Sequence, residues 1–100
     1  MRIEINRSAR QQGITDDEIR SAIEYPALVV PVPSRVFADA QLLPHIGRYA
    51  DNEPLLEVVG EVAADTIEVF HAMLLRWATV TAAGIVDHIT PDDIADTQRR

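Results

Sequence analysis

The sequence predicts one α+β domain, and three observations predict it. A helix start is written at Thr15-Asp16-Asp17-Glu18, three extended runs at 41–48, 55–62 and 66–75 read as an antiparallel meander, and a second helix start follows at Thr90-Pro91-Asp92-Asp93. A chain of 100 residues fits a single domain. At this size roughly 65% of the unfolded surface is buried on folding, enough for a core without metal or disulfide staples.

Taken in order, Ile3 and Ile5 alternate with Arg2 and Glu4, the pattern of a short half-buried strand. Asn6 then caps a brief helical segment that runs to Gln12 and stops at Gly13. In the next helix Thr15 bonds back to the amide of Glu18, Ile14 staples to Ile19, and Ile19, Ala22 and Ile23 form the apolar face. Pro26 ends that helix, because the residue before a proline is driven out of the α region. Residues 27–38 are rich in Val but broken by Pro31 and Pro33, which cannot donate to a ladder, so this segment belongs at a sheet edge.

The three extended runs are separated by Asp51-Asn52-Glu53-Pro54 and by a small turn near Ala63-Ala64-Asp65. In the last of them strict alternation places Ile67, Val69, His71 and Met73 on one face and Phe70, Ala72 and Leu74 on the other. Apolar residues on both faces put that strand inside the sheet. Residues 78–86 are small and apolar, with Gly84 interrupting them, and carry no clear element. Thr90 as cap, Pro91 at the first helical position, Asp93 as the box acid and an Ile89–Ile94 staple predict a short terminal helix within 87–100. Arg99 and Arg100 suit its carboxyl end, where the last residues fray.

Composition removes several classes of function. The absence of cysteine excludes disulfides, thiolate zinc sites and thiol nucleophiles. His45 and His88 have no companions at ligand spacing, so neither a metal nor another cofactor is called for. No apolar run approaches the roughly 20 residues that span a bilayer, and a charged residue interrupts the amino-terminal stretch, which leaves the cytoplasm as the expected compartment. Charge is uneven: residues 1–50 hold six Arg and six acids, residues 51–100 three Arg and ten acids, and the second half therefore supplies the whole −7. Such a surface repels phosphate backbones, apart from a locally positive opening with Arg2, Arg7 and Arg10.

Phe70-His71-Ala72-Met73-Leu74-Leu75-Arg76 is the candidate functional segment. An imidazole with a pKa near ~6.5 can move protons near neutrality, and a guanidinium can hold a phosphate in a fork. His71 serves equally well as a hydrogen-bonded, half-buried histidine, and Arg76 as a strand-end ion pair. On a regular strand the two have opposite parity, so they share a site only if the chain bulges or turns between Leu74 and Arg76. Glu57, between apolar neighbours, is most simply a solvent-facing strand residue. A three-residue loop at Ala63–Asp65 would set it opposite His71, whereas a two-residue loop would set it opposite Ala72 and turn it to the other face.

Several short motifs, in order, resemble those of a known family: Arg10-Gln11-Gln12-Gly13-Ile14-Thr15 leading into an acidic helix start, Ile46-Gly47-Arg48, Leu55-Leu56-Glu57-Val58-Val59, and His71-Ala72-Met73 followed by Arg76. Over residues 1 to about 80 the chain resembles the BrnT-like toxins of the RelE-like ribonuclease superfamily, found in type II toxin–antitoxin systems. The resemblance implies amino-terminal helices packed on a curled antiparallel sheet, and a small ribbon-helix-helix type antitoxin that holds the toxin inactive. It also implies metal-independent RNA cleavage, in which the ribose 2′-OH attacks phosphorus and the protein moves protons and holds the growing charge. On that reading His71, Arg76 and Glu57 are the catalytic candidates, and Arg7, Arg10 and Arg48 the candidates for contact with RNA or antitoxin. The net charge of −7 motivates an alternative from another class: a non-catalytic interaction protein of phage or mobile-element type that keeps this fold and binds a basic host protein through its acidic second half.

Overall fold

A computed structural model of the chain describes residues 1–30, 32–33 and 41–99. Six strands, β1 (Arg2–Ile5), β2 (Leu28–Val29), β3 (Val32–Pro33), β4 (Gln41–Gly47), β5 (Leu56–Ala63) and β6 (Thr66–Leu74), form one sheet. Its order is β1-β6-β5-β4-β2, and β3 also pairs with β4. The β4–β5–β6 meander is antiparallel as expected, and β2 and β3 lie at the edge expected for the proline-broken segment 27–38, Pro33 within β3 and Pro31 itself falling outside the described residues. The sheet is nevertheless mixed. β1 pairs in parallel with β6, Ile3 beside Ile67 and Ile5 beside Val69, which places β6 between two neighbours.

One face of the sheet is covered by the amino-terminal helical layer. Asn6 leads into a 3-10 turn at Arg7–Arg10, shorter than the segment expected to reach Gln12, and Gly13 then takes a left-handed φ of +76°. Helix α1 (Asp16–Glu24) begins on the expected capping box: Glu18 N donates to Thr15 Oγ1 at 3.2 Å, and Thr15 N to Glu18 Oε1 at 3.0 Å. Ala9, Ile14, Ile19 and Ala22 bury against Leu56, Val58, Val69, Ala72 and Leu74, each large aliphatic contributing roughly 1.5–3 kcal/mol. Gly47 packs beneath the end of α1, where a Cβ would stand 3.5 Å from the backbone of Ala22, Tyr25 and Pro26.

Two expectations for the second half are corrected. The segment 78–86, to which the sequence assigned no element, contributes residues 78–83 to helix α2 (Trp77–Ala83), while the expected terminal helix is only a 3-10 turn at Pro91–Asp93. The Thr90–Asp93 box does form, with Thr90 N donating to Asp93 Oδ2 at 2.9 Å. It does not propagate, because the Asp93 carbonyl accepts from Leu55 N at 2.9 Å instead of from a following helical amide, and Arg48 holds the carboxylate at 2.6 Å. The tail beyond is tied down as far as Arg99. Gln98 exchanges two hydrogen bonds with the backbone of Leu74, at 3.0 and 2.9 Å, and Arg99 pairs with Glu18 at 2.7 Å.

With seven residues, α2 is too short to hold itself in water. Gly84, at φ +70°, closes it by the left-handed cap that glycine favours, with Ile85 N returning to Val80 O. Val80 docks it into a second cluster with Ile46, Leu55, Leu75, Ile85 and Ile89. Among the described residues, this cluster covers only one end of the sheet's second face and leaves the rest of that face open.

Candidate functional site

The β5–β6 turn is the two-residue kind, Ala63 pairing with Thr66, which taken alone would point Glu57 away from His71. A β-bulge reverses that outcome. Val59 pairs with His71 and Gly60 with Val69, so Phe70 is the extra residue in β6 and every residue after it changes face. Ile67 and Val69 therefore share the helix-covered face with Ala72 and Leu74, while His71 and Met73 turn to the other face, correcting the alternation drawn from sequence. Glu57 lies directly opposite Met73 and diagonal to His71, on the same face. Arg76 arrives by a second departure: β6 ends at Leu74, and Arg76, extended at φ −110° and ψ 150°, is the residue from which α2 begins. The break between Leu74 and Arg76 that a shared site requires is present.

Glu57 is the centre of the cluster and, against the simplest sequence reading, is only 1% exposed. Its carboxylate receives the Arg76 guanidinium in a fork, Nε to Oε1 at 2.7 Å and Nη2 to Oε2 at 3.1 Å, and the Arg76 backbone N at 3.1 Å. Thr79 Oγ1 donates to Oε2 at 2.6 Å. His71 Nε2 stands 3.4 Å from the same oxygen but is aligned too poorly for a hydrogen bond, and is a buried nitrogen without a partner. Burial alone would raise the Glu57 pKa, and the contacts with His71, Arg76 and Thr79 together with the Arg76 charge outweigh it, lowering the value to about 2. Glu57 is therefore a fixed carboxylate at neutral pH. It orients its neighbours and does not carry protons, whereas Arg76, with its side chain 45% exposed, keeps donors available to the open side.

Above this cluster lies a cleft of about 480 Å³ between the open sheet face and α2. His71, Glu57, Arg76 and Thr79 form its polar floor, and Leu42, Pro44, Val59, Phe70, Ala82 and Ala83 line its walls. Known protein families, curated proteins and solved structures offer no match to the chain. Three of the sequence candidates, His71, Glu57 and Arg76, are thus brought together, and the other three are not. Arg10 is paired through both Nε and Nη2 with Asp16, each at 2.9 Å, and Arg48 is held by Asp93 and the Asp51 carbonyl. Arg7 is exposed and forms no ion pair among the described residues. None of these three lines the cleft.

Thr79 was not singled out in the sequence. Its signal is the spacing Arg76-x-x-Thr79, which puts both side chains on one face only if the segment is helical, and the run Thr79-Val80-Thr81 disguises a helix because β-branched residues favour strands. Among the described residues, no group of three or more His, Cys, Asp or Glu could hold a metal ion, and no helix is long and apolar enough to cross a membrane.

Proposed function

We propose that the protein is toxin-like, of the type II toxin–antitoxin kind, and that its cleft cleaves RNA without a metal ion. The observation carrying this reading is the convergence of His71, Glu57 and Arg76 on one cleft floor, which requires both the Phe70 bulge and the turn at Leu75. The His71 imidazole takes the proton of a ribose 2′-OH as that oxygen attacks the adjacent phosphorus. Outward N–H groups of Arg76 hold the non-bridging oxygens as charge builds on them, and Glu57 fixes the guanidinium in place. The 5′-oxygen leaves with a proton from solvent at the open side of the cleft, and the product carries a 2′,3′-cyclic phosphate. A small ribbon-helix-helix type partner encoded beside it is the inhibitor this reading implies.

Induced expression then halts growth, and the purified chain cleaves RNA in excess chelator. His71→Ala restores growth while the protein stays folded, as does Arg76→Lys, which keeps a cation beside the buried carboxylate. Toxicity unchanged in both folded variants would remove these residues from the site, and intact RNA after incubation with the unaltered chain would remove the activity.

A second reading, a non-catalytic protein that binds a basic host protein, is favoured by Glu61 and Glu68. They lie directly opposite each other beside the cleft, where their charge repels phosphate and attracts cations. It predicts a salt-sensitive complex with a basic protein and no RNA cleavage; a co-purification empty even at low salt counts against it.

A further inference from the structure

The cleft continues sideways into a second groove, of about 420 Å³, with Phe70 as the shared wall. Strand register explains its character. Glu4 pairs with Glu68, Glu68 with Glu61 and Glu61 with Leu42, so these four side chains form one row across β1, β6, β5 and β4 on the open face. Neighbouring strands lie about 4.8 Å apart, which makes the three carboxylates close neighbours. Glu4 is compensated by Arg2. Glu68 receives only the neutral amide of Asn6, at 2.8 Å, and among the described residues neither Glu61 nor Glu68 has a cationic partner. Leu42, the apolar end of the row, is itself a wall of the cleft, so the uncompensated charge begins where the apolar lining ends.

We infer that this face docks a basic amphipathic segment of a partner protein, with apolar side chains seated in the cleft between Phe70 and α2 and Lys or Arg side chains over Glu61 and Glu68. The inference deepens the protein-binding reading above, on which it rests for the sign of the partner's charge. Charge complementarity selects this occupant. A nucleic-acid strand laid over the second groove would meet the carboxylates of Glu61 and Glu68, and a second copy of a chain carrying −7 would bring like charge to like.

The test uses the full chain, isotope-labelled for amide NMR, titrated with a synthetic amphipathic leucine–lysine peptide and with a control of the same pattern in which Glu replaces Lys. The leucine–lysine peptide shifts the amides of Val59, Glu61, Glu68 and Phe70. Its affinity falls with added salt, and falls roughly tenfold in the Glu61→Gln, Glu68→Gln double variant. Those substitutions lie on an open face and relieve repulsion, so the variant stays folded. Equal affinity for the double variant, or equal binding of the glutamate peptide, overturns the inference. Binding that shifts instead the amides around Asp87 and Asp92 overturns this docking face and leaves the protein-binding reading standing, whereas the absence of any binding at low salt overturns both.

Discussion

Glu57 and His71 share one face of the β5–β6 ladder, diagonal to each other, because one residue, Phe70, is looped out of register between them and the turn. A two-residue turn with a regular ladder would bury His71 among Val58, Val69 and the α1 side chains and leave Glu57 facing an apolar partner. The bulge thus decides at once which residues form the core and which form the cleft floor, and it ties local backbone irregularity to the chemistry proposed for the site.

That buried carboxylate makes stability depend on pH. With its pKa lowered from 4.5 to about 2, Glu57 contributes stability that is complete above the unfolded value and is lost as pH falls through the folded one, so the window runs from about 5 down to about 2. The size is roughly 3 kcal/mol at neutral pH. In denaturant unfolding, the wild-type advantage over Glu57→Gln is expected to be largest at pH 7 and to shrink steadily as the pH falls through that window. The other lowered carboxylates, Asp16, Glu18 and Asp93, act in both proteins and cancel in the difference. An advantage that does not change between pH 6 and pH 2 contradicts the assignment.

Thr79 links α2 to this carboxylate, and its removal separates packing from hydrogen bonding. Thr79→Val keeps the side-chain volume but leaves Glu57 Oε2 without its 2.6 Å donor. The expected loss is about 1.5–3 kcal/mol, the range for hydrogen bonds to charged groups. Thr79→Ser restores the donor and most of the stability. Faster amide exchange in 77–83 accompanies the valine variant, because α2 is otherwise held mainly by Val80. Valine and serine variants of equal stability would show that the hydroxyl contributes nothing.

Gly60 permits the bulge. A Cβ there would stand 2.8 Å from Ile67 Cγ1 and 2.9 Å from the Glu68 carbonyl oxygen, and the second obstacle is backbone that can yield only if β6 moves. Gly60→Ala is therefore expected to cost about 1–3 kcal/mol and to displace the amide resonances of Phe70 and His71, measured by chemical denaturation and NMR. An alanine variant as stable as the parent, with those resonances in place, would show that β5 and β6 do not approach this closely.

What was legible in the sequence was local. Thr15 and Glu18 carry a complete capping box within four residues, Pro26 lies just beyond the helix, and Pro33 restricts β3 to an edge. What escaped was set by distant partners. The parallel pairing of Arg2–Ile5 with β6 joins residues more than sixty apart, and the Thr90 box fails to start a helix because Leu55 and Arg48 claim Asp93 first. The bulge belongs to the same class. Phe70 carries no mark of its own, and the available clue was Gly60 in the partner strand, whose missing side chain admits the close approach.

The opposed pair Glu61 and Glu68 gives a last expectation, in which stability and binding move in opposite directions. Like charges directly across an antiparallel ladder are destabilising, and no cation among the described residues offsets these two. Glu68→Gln is therefore expected to stabilise the isolated chain by about 0.2–1 kcal/mol at low ionic strength, and by less at high salt, where screening has already removed the repulsion. The same substitution weakens a basic partner. Urea unfolding at two salt concentrations, beside the peptide titration, reads both effects: a gain in stability coupled to a loss of affinity is what a surface shaped for a cationic partner should show, since the partner's charge relieves the repulsion that the free protein retains. A Glu68→Gln chain less stable than its parent at low salt would mean that the Asn6 contact to Glu68 outweighs the repulsion, and would leave the carboxylate a structural role instead.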